Sequence, residues 1–207
     1  MVRKILFALA LAGAASPLAA TPLNVRVVDA SGRPVRDAVV TLYPSGLVRS
    51  AHPSGRYVVA QQGLQFRPFL TVVPVGADVS FPNLDPTKHH VYSFSSEKRF
   101  ELKLFAKDQS RIVHFDKPGV VALGCNIHDQ MSAFIVVTDS AWTARTNAQG
   151  YASFNDAPNA PARMTVWHPY LRAPGGLIQQ AIAPTQRSLN FQVRLRPPPP
   201  AMAMTDY

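Results

Sequence analysis

Long hydrophobic runs are scarce in this sequence: the longest, Ile5 to Ala15, covers eleven residues, against the roughly 20 that a helix needs to cross a bilayer. No second segment is long and apolar enough, so membrane insertion is not expected. Charge is also sparse, at 16% of 207 residues, while 47% are hydrophobic. A chain so poor in charge can bury a core and is not a disordered tail. Glycines number only 11 beside 19 prolines, and so many prolines leave little room for long helices, which excludes an all-α bundle. Acidic residues number 12 against 21 basic ones, for a net charge of +9. That surplus suits nucleic acid, an anionic membrane surface or an acidic protein, and charge alone does not choose among them. Cysteine is nearly absent, with Cys125 standing by itself.

What is present begins with an address. Arg3 and Lys4 precede the apolar run, and small residues follow up to Ala20, the order of a secretory signal. Residues 1–20 are therefore expected to be removed, with Ala15 a second acceptable cleavage point, and the remaining chain is expected to be periplasmic. Nucleic-acid binding is not expected of an exported chain whose basic residues are scattered.

Behind the signal, LNVRVVDASGRPVRDAVVTLYP reads as two strands around a turn at Gly32 to Pro34, the second running from Ala38 to Leu42. From Tyr57 onward the segments VVA, FLTVVPVGADVSFPN, HHVYSFS, LKLF, SRIVHF, GVVALGC and AFIVV follow at the short spacing of an antiparallel sandwich or barrel. After Thr138 come a hairpin candidate, TARTNAQGYASF, turning near Asn147 to Gly150, then strands in ARMTVWHP and LNFQVRLR. Residues 23–56 and 139–196 are each too short to close a core. Together they are expected to form one small discontinuous sandwich into which residues 57–138 are inserted. The proline-rich tail, 197–207, is expected to be disordered.

A lone cysteine in an oxidising compartment needs a reason. Cys125 opens the segment GCNIHDQM, which sets Cys125, His128 and Met131 three residues apart. A thiolate, an imidazole and a thioether in one tight loop suit copper. The missing imidazole is available from His89 or His90, at the head of the strand HHVYSFS. Two nitrogens and a thiolate with a weak axial thioether make the blue-copper electron-transfer set. The other uses of Cys125 are less well served: a thiol hydrolase needs no methionine, and the haem motif C-x-x-C-H lacks its second cysteine. A buried inert thiol is the plain alternative. His52, His114 and His168 are read as ordinary histidines, and Trp142 and Trp167 as packing residues.

The stretch from Phe69 to Val137 resembles the cupredoxins, of the plastocyanin and amicyanin type and similar to proteins described as methylamine-utilisation-like. Val73, Gly76, Val79, Phe81 and Asn83 match the strand that leads to the family's first histidine ligand. Pro118, Gly119, Cys125, His128 and Met131 match the strand and loop that bring the other three. The family pattern His-Asn-Val is replaced here by His89-His90-Val91. Aligning Val91 makes His89 the ligand and puts His90 where an asparagine usually braces the cysteine loop; His90 can brace through a ring N–H. Adjacent strand residues face opposite sides, so both histidines do not bind one ion. Residues 27–42 and 146–154 resemble a carboxypeptidase-regulatory, transthyretin-like sandwich, a module to which no active residue is assigned.

These resemblances imply an all-β chain: a cupredoxin Greek-key sandwich with a small discontinuous transthyretin-like β-sandwich. They imply one type 1 copper held by His89, Cys125, His128 and Met131, and a monomeric electron carrier that passes single electrons between unidentified redox partner proteins. Such a chain is not an enzyme and has no catalytic residues. Copper storage or delivery, and a non-redox binding module on a cupredoxin fold, remain the alternatives.

Overall fold

The computed structural model describes residues 22–197, so the expected signal (1–20) and all but the first residue of the expected disordered tail lie outside the described residues. The first part of the chain supplies β1 (Leu23–Asp29) and β2 (Val39–Pro44). The middle supplies β3 (Tyr57–Val58), β4 (Ala60–Gln61), β5 (Phe66–Arg67), β6 (Leu70–Pro74), β7 (Ala77–Pro82), β8 (His89–Ser95), β9 (Lys98–Phe105), β10 (Ser110–Phe115), β11 (Gly119–Gly124) and β12 (Ser132–Thr138). The last part supplies β13 (Thr143–Arg145), β14 (Tyr151–Phe154), β15 (Ala162–Trp167), β16 (Leu177–Ile182) and β17 (Ser188–Val193). Among the described residues one 3-10 turn, at Pro174–Gly176, interrupts this order. The chain is all-β, as its proline content and short alternating segments predict.

The strands form two sandwiches. In one, the sheet β14-β1-β17 faces the sheet β13-β2-β15-β16. Alternation turns Leu23, Val25 and Val27 of β1 and Leu189, Phe191 and Val193 of β17 inward, onto Val40, Leu42, Met164 and Val166. In the other, the sheet β10-β7-β3 faces the five-stranded sheet β6-β12-β11-β8-β9. Its core takes Ala77, Val79 and Phe81 from β7, Val91 from β8, Val121 and Leu123 from β11, and Ala133, Ile135 and Val137 from β12. Cys125 and Met131 belong to this second core.

Two strands depart from simple alternation, and the departure shows how the sandwiches meet. Buried residues run almost continuously along β2 and β12, the pattern of a strand covered on both faces. The cover is mutual: Val39 packs with Leu70 and Val136, flanked by Val72, Val120, Phe134 and Trp167. The rings of Phe134 and Trp167 meet edge to face with centroids 5.6 Å apart, and Arg145 donates to the Leu70 carbonyl at 3.0 Å. The outer face of the five-stranded sheet is thus closed by the other sandwich on one side. At the far side the edge strand β9 carries Lys98, Arg99, Glu101 and Lys103, charges that discourage further strand pairing.

The sequence predicts a hairpin across Asn147 to Gly150, and here the structure differs. The turn exists, with Gly150 N donating to Asn147 O at 2.9 Å. Its flanking strands part, β13 pairing with β2 in one sheet and β14 with β1 in the other. The segment is stitched to the β1–β2 connection: Thr146 Oγ1 accepts from Ala38 N and donates to Val35 O, and Gly150 O accepts from Val27 N. Only glycine fits, because φ is +78° and a Cβ would lie 2.5 Å from Val27 O. The long segment FLTVVPVGADVSFPN also divides, at Val75 and Gly76, into β6 and β7 in opposing sheets. Strand β16, with its exposed Gln179 and Gln180, has too little apolar alternation to be read from the sequence.

Leu70 is 2% exposed at the contact between sandwiches. Leu70→Ala is expected to cost about 2–5 kcal/mol in urea unfolding, with both sandwiches losing amide-exchange protection together. A cost under about 1 kcal/mol would show that this contact contributes little.

Candidate metal centre

The site lies at one end of the second sandwich, where three elements converge: the loop leading into β8, the start of β8, and the loop between β11 and β12. Asn83, fully buried, organises the first of these. Its Nδ2 donates to Thr87 O (2.8 Å) and Phe105 O (3.0 Å), while its Oδ1 accepts from Asp85 N (2.9 Å). Asp85 is in turn fixed by the β4–β5 turn, whose Gly63 N and Leu64 N donate to its two carboxylate oxygens at 2.6 and 3.0 Å. Burial by itself would raise the Asp85 carboxyl, but these donors and His89 outweigh it and hold it below the usual carboxylate value.

His89 begins β8 on its inner face with 0% exposure. Its Nε2 lies 2.8 Å from Asp85 Oδ2. An ionised carboxylate only accepts, so Nε2 carries a proton, and in the neutral tautomer this contact selects, Nδ1 presents the lone pair. That Nδ1 lies 3.9 Å from Cys125 Sγ. His90 faces the other way, as strand alternation requires: its Nε2 meets Glu101 Oε1 on β9 at 2.8 Å, and its ring lies 5.8 Å from that of Tyr92. The bracing role considered for His90 is not what the hydrogen bonds show, since its Nδ1 is buried without a partner among the described residues.

The loop from Cys125 to Met131 closes on itself, Cys125 N donating to Met131 O at 3.2 Å and Met131 N to His128 O at 2.9 Å. This closure turns His128 Nδ1 back to 3.6 Å from Cys125 Sγ. The rings of His89 and His128 are 5.0 Å apart. Burial, and then the positive charge His89 carries when protonated, hold the His128 imidazole below its ordinary value, which favours the neutral ring. Met131 is buried in the same apolar core as Cys125. Just ahead of the loop, Gly124 makes room for Tyr92: a Cβ there would lie 2.7 Å from the tyrosine ring.

The donor set fits a metal ion. The ligating atoms of His89, Cys125 and His128 all lie within 4.8 Å of one another. An ion bonded to sulfur at about 2.3 Å and to nitrogen at about 2.0 Å, with about 120° between the bonds, holds those atoms about 3.7 Å apart. The two sulfur–nitrogen separations, 3.9 and 3.6 Å, bracket that value. No other such trio of His, Cys, Asp or Glu exists among the described residues. His114 pairs with Asp78 in the open, and His168 Nδ1 accepts from Tyr170 N. Sequence reasoning passed over Asp85; its only local signal was an acidic residue four positions ahead of His89.

No protein-family model and no curated relative matches the chain. Among solved structures, it is similar to the Cu-containing nitrite reductase from Thermus scotoductus SA-01, at 23% identity and a TM-score of 0.40 over 46% of this chain and 25% of that one. It is similar to a purple cupredoxin from Nitrosopumilus maritimus, at 18% identity and a TM-score of 0.36 over 40% of this chain and 99% of that one. It is also similar to a methionine-to-alanine variant of amicyanin with Cu(I), at 22% identity and a TM-score of 0.38 over 48% of this chain and 98% of that one. The chain therefore spans a quarter of the reductase and nearly all of the two smaller proteins.

The geometry separates the two adjacent histidines. His89→Ala is expected to abolish tight uptake of Co(II) or Cu(II) in a spectroscopic titration, whereas His90→Ala keeps it. The reverse result would place the ligand one residue later.

Proposed function

We propose that this chain is an exported, cupredoxin-type blue copper protein that carries single electrons between redox partners and catalyses no bond chemistry. The observation that carries the reading is the convergence of two imidazole nitrogens on one buried cysteine sulfur, at 3.9 and 3.6 Å. Copper, when bound, supplies a one-electron couple that soft sulfur and imidazole donors keep within reach of protein partners. Cys125 would provide the thiolate, His89 and His128 the two imidazoles, and Met131, buried in the same core, the thioether.

Each side chain has a distinct physical task. His89 is locked from behind by Asp85, so its nitrogen keeps one position whichever oxidation state it faces. His128 is the least buried of the three converging groups. It would be the edge through which an electron reaches or leaves the bound copper. The strands β8, β11 and β12 hold the donors against a packed core, which limits their rearrangement on electron gain and loss. Four side-chain donors on one ion would leave no open position for a substrate, which favours a carrier over an enzyme.

Met131→Gln distinguishes a carrier from a copper shuttle. In a carrier the variant keeps its colour and its tightly held copper and shows a lower reduction potential, because a harder oxygen favours Cu(II). A large loss of Cu(I) affinity with little change in potential, measured on the same two proteins, would overturn the carrier reading in favour of copper delivery.

A further inference from the structure

The group behind His89 is a carboxylate, and it is unusually well held. Asp85 is 6% exposed, and burying a carboxylate is costly unless donors surround it. Three do: Gly63 N on Oδ1, and Leu64 N and His89 Nε2 on Oδ2. The two backbone donors come from consecutive residues with φ of +65° and +53°, a left-handed pair whose N–H groups point to one side and form an anion-binding concavity. A leucine in that conformation is uncommon. The turn is tied down by Gln62 N donating to Gln65 O (2.9 Å) and by Leu84 N donating to Gln61 O (2.9 Å). Asn83 holds the Asp85 backbone from the other side.

We propose that Asp85 is a positioning residue for the metal ligand His89, and that its buried charge, delivered by the Gly63–Leu64 turn, lowers the reduction potential of the site. The inference rests on the copper reading above. Three consequences follow from the contacts. An acceptor at Nε2 fixes the tautomer that leaves Nδ1 free toward Cys125. It fixes the ring plane, since His89 is gripped at opposite edges by Asp85 at 2.8 Å and Cys125 at 3.9 Å. A negative partner also makes the imidazole a stronger donor, which favours the more highly charged Cu(II) over Cu(I). The pair His90 and Glu101 has the same 2.8 Å separation, but Glu101 is 60% exposed and His90 faces away from Cys125, so it supplies a control outside the site.

The test uses the whole copper-loaded chain and compares the wild type with Asp85→Asn, Asp85→Ala and Glu101→Gln. Asparagine keeps the size of aspartate and loses its charge. Asp85→Asn is expected to stay folded and coloured, to show a raised reduction potential, and to bind Cu(II) roughly 10- to 100-fold more weakly. Asp85→Ala should lose more affinity, while Glu101→Gln should match the wild type in both. In the metal-free wild type, nitrogen-15 NMR should show His89 protonated at Nε2, a readout that needs no variant to fold. An unchanged potential and affinity in Asp85→Asn, or a His89 protonated at Nδ1, would overturn the role of Asp85 alone. A wild type that takes up copper without the blue signal would instead overturn the copper reading on which it stands.

Discussion

An imidazole with no solvent exposure must have both nitrogens satisfied, and the site depends on how His89 meets that condition. One nitrogen is spoken for by Asp85 at 2.8 Å and the other faces Cys125 at 3.9 Å. The first contact bears on the second: with a proton held on the carboxylate side, the neutral ring has its lone pair on the cysteine side. The nitrogen on that side, the cysteine sulfur and a second imidazole nitrogen at 3.6 Å from the sulfur form a set of donors suited to a single metal ion. The Gly63–Leu64 turn, the Asn83 brackets and the closed 125–131 loop all bear on this one arrangement.

The arrangement survives because the elements that carry it cannot drift. His89 stands at the head of β8, whose next inward residue is the fully buried Val91, and Cys125 and Met131 flank a loop entered from β11 and left by β12. Strand β12 is buried on both faces, toward the core of its own sandwich and toward the Val39–Trp167 contact with the other. The first sandwich thus supports the site indirectly, by covering the back of the sheet on which the cysteine loop is mounted. Close-packed interiors resist displacement of their parts, which suits the electron-carrier role proposed above.

Much of this was legible in residue order. Cys125, His128 and Met131 share one loop by sequence spacing alone, and strand alternation anchored on Val91 puts His89, not His90, on the buried face. The flanks 23–56 and 139–196 each read as too short to close a core alone, and residues of both lie in one buried cluster. Partner choice between strands was not legible. The turn at Asn147 to Gly150 has hairpin chemistry, yet Thr146 and Gly150 bond to the β1–β2 connection and send β13 and β14 into different sheets. Asp85 was hidden for a similar reason: two of its three donors lie more than twenty residues upstream, and nothing local announces a turn that points its N–H groups at a carboxylate.

The central claim is that Cys125, His89 and His128 hold one copper ion in a thiolate-bearing site. Electron paramagnetic resonance and visible absorption of the full chain loaded with one equivalent of Cu(II) test it most directly. The account predicts an intense visible thiolate-to-copper band and a narrow copper hyperfine splitting, with the Cys125 thiol no longer titratable. A colourless Cu(II)-loaded protein with an ordinary hyperfine pattern and a freely titratable thiol would contradict it.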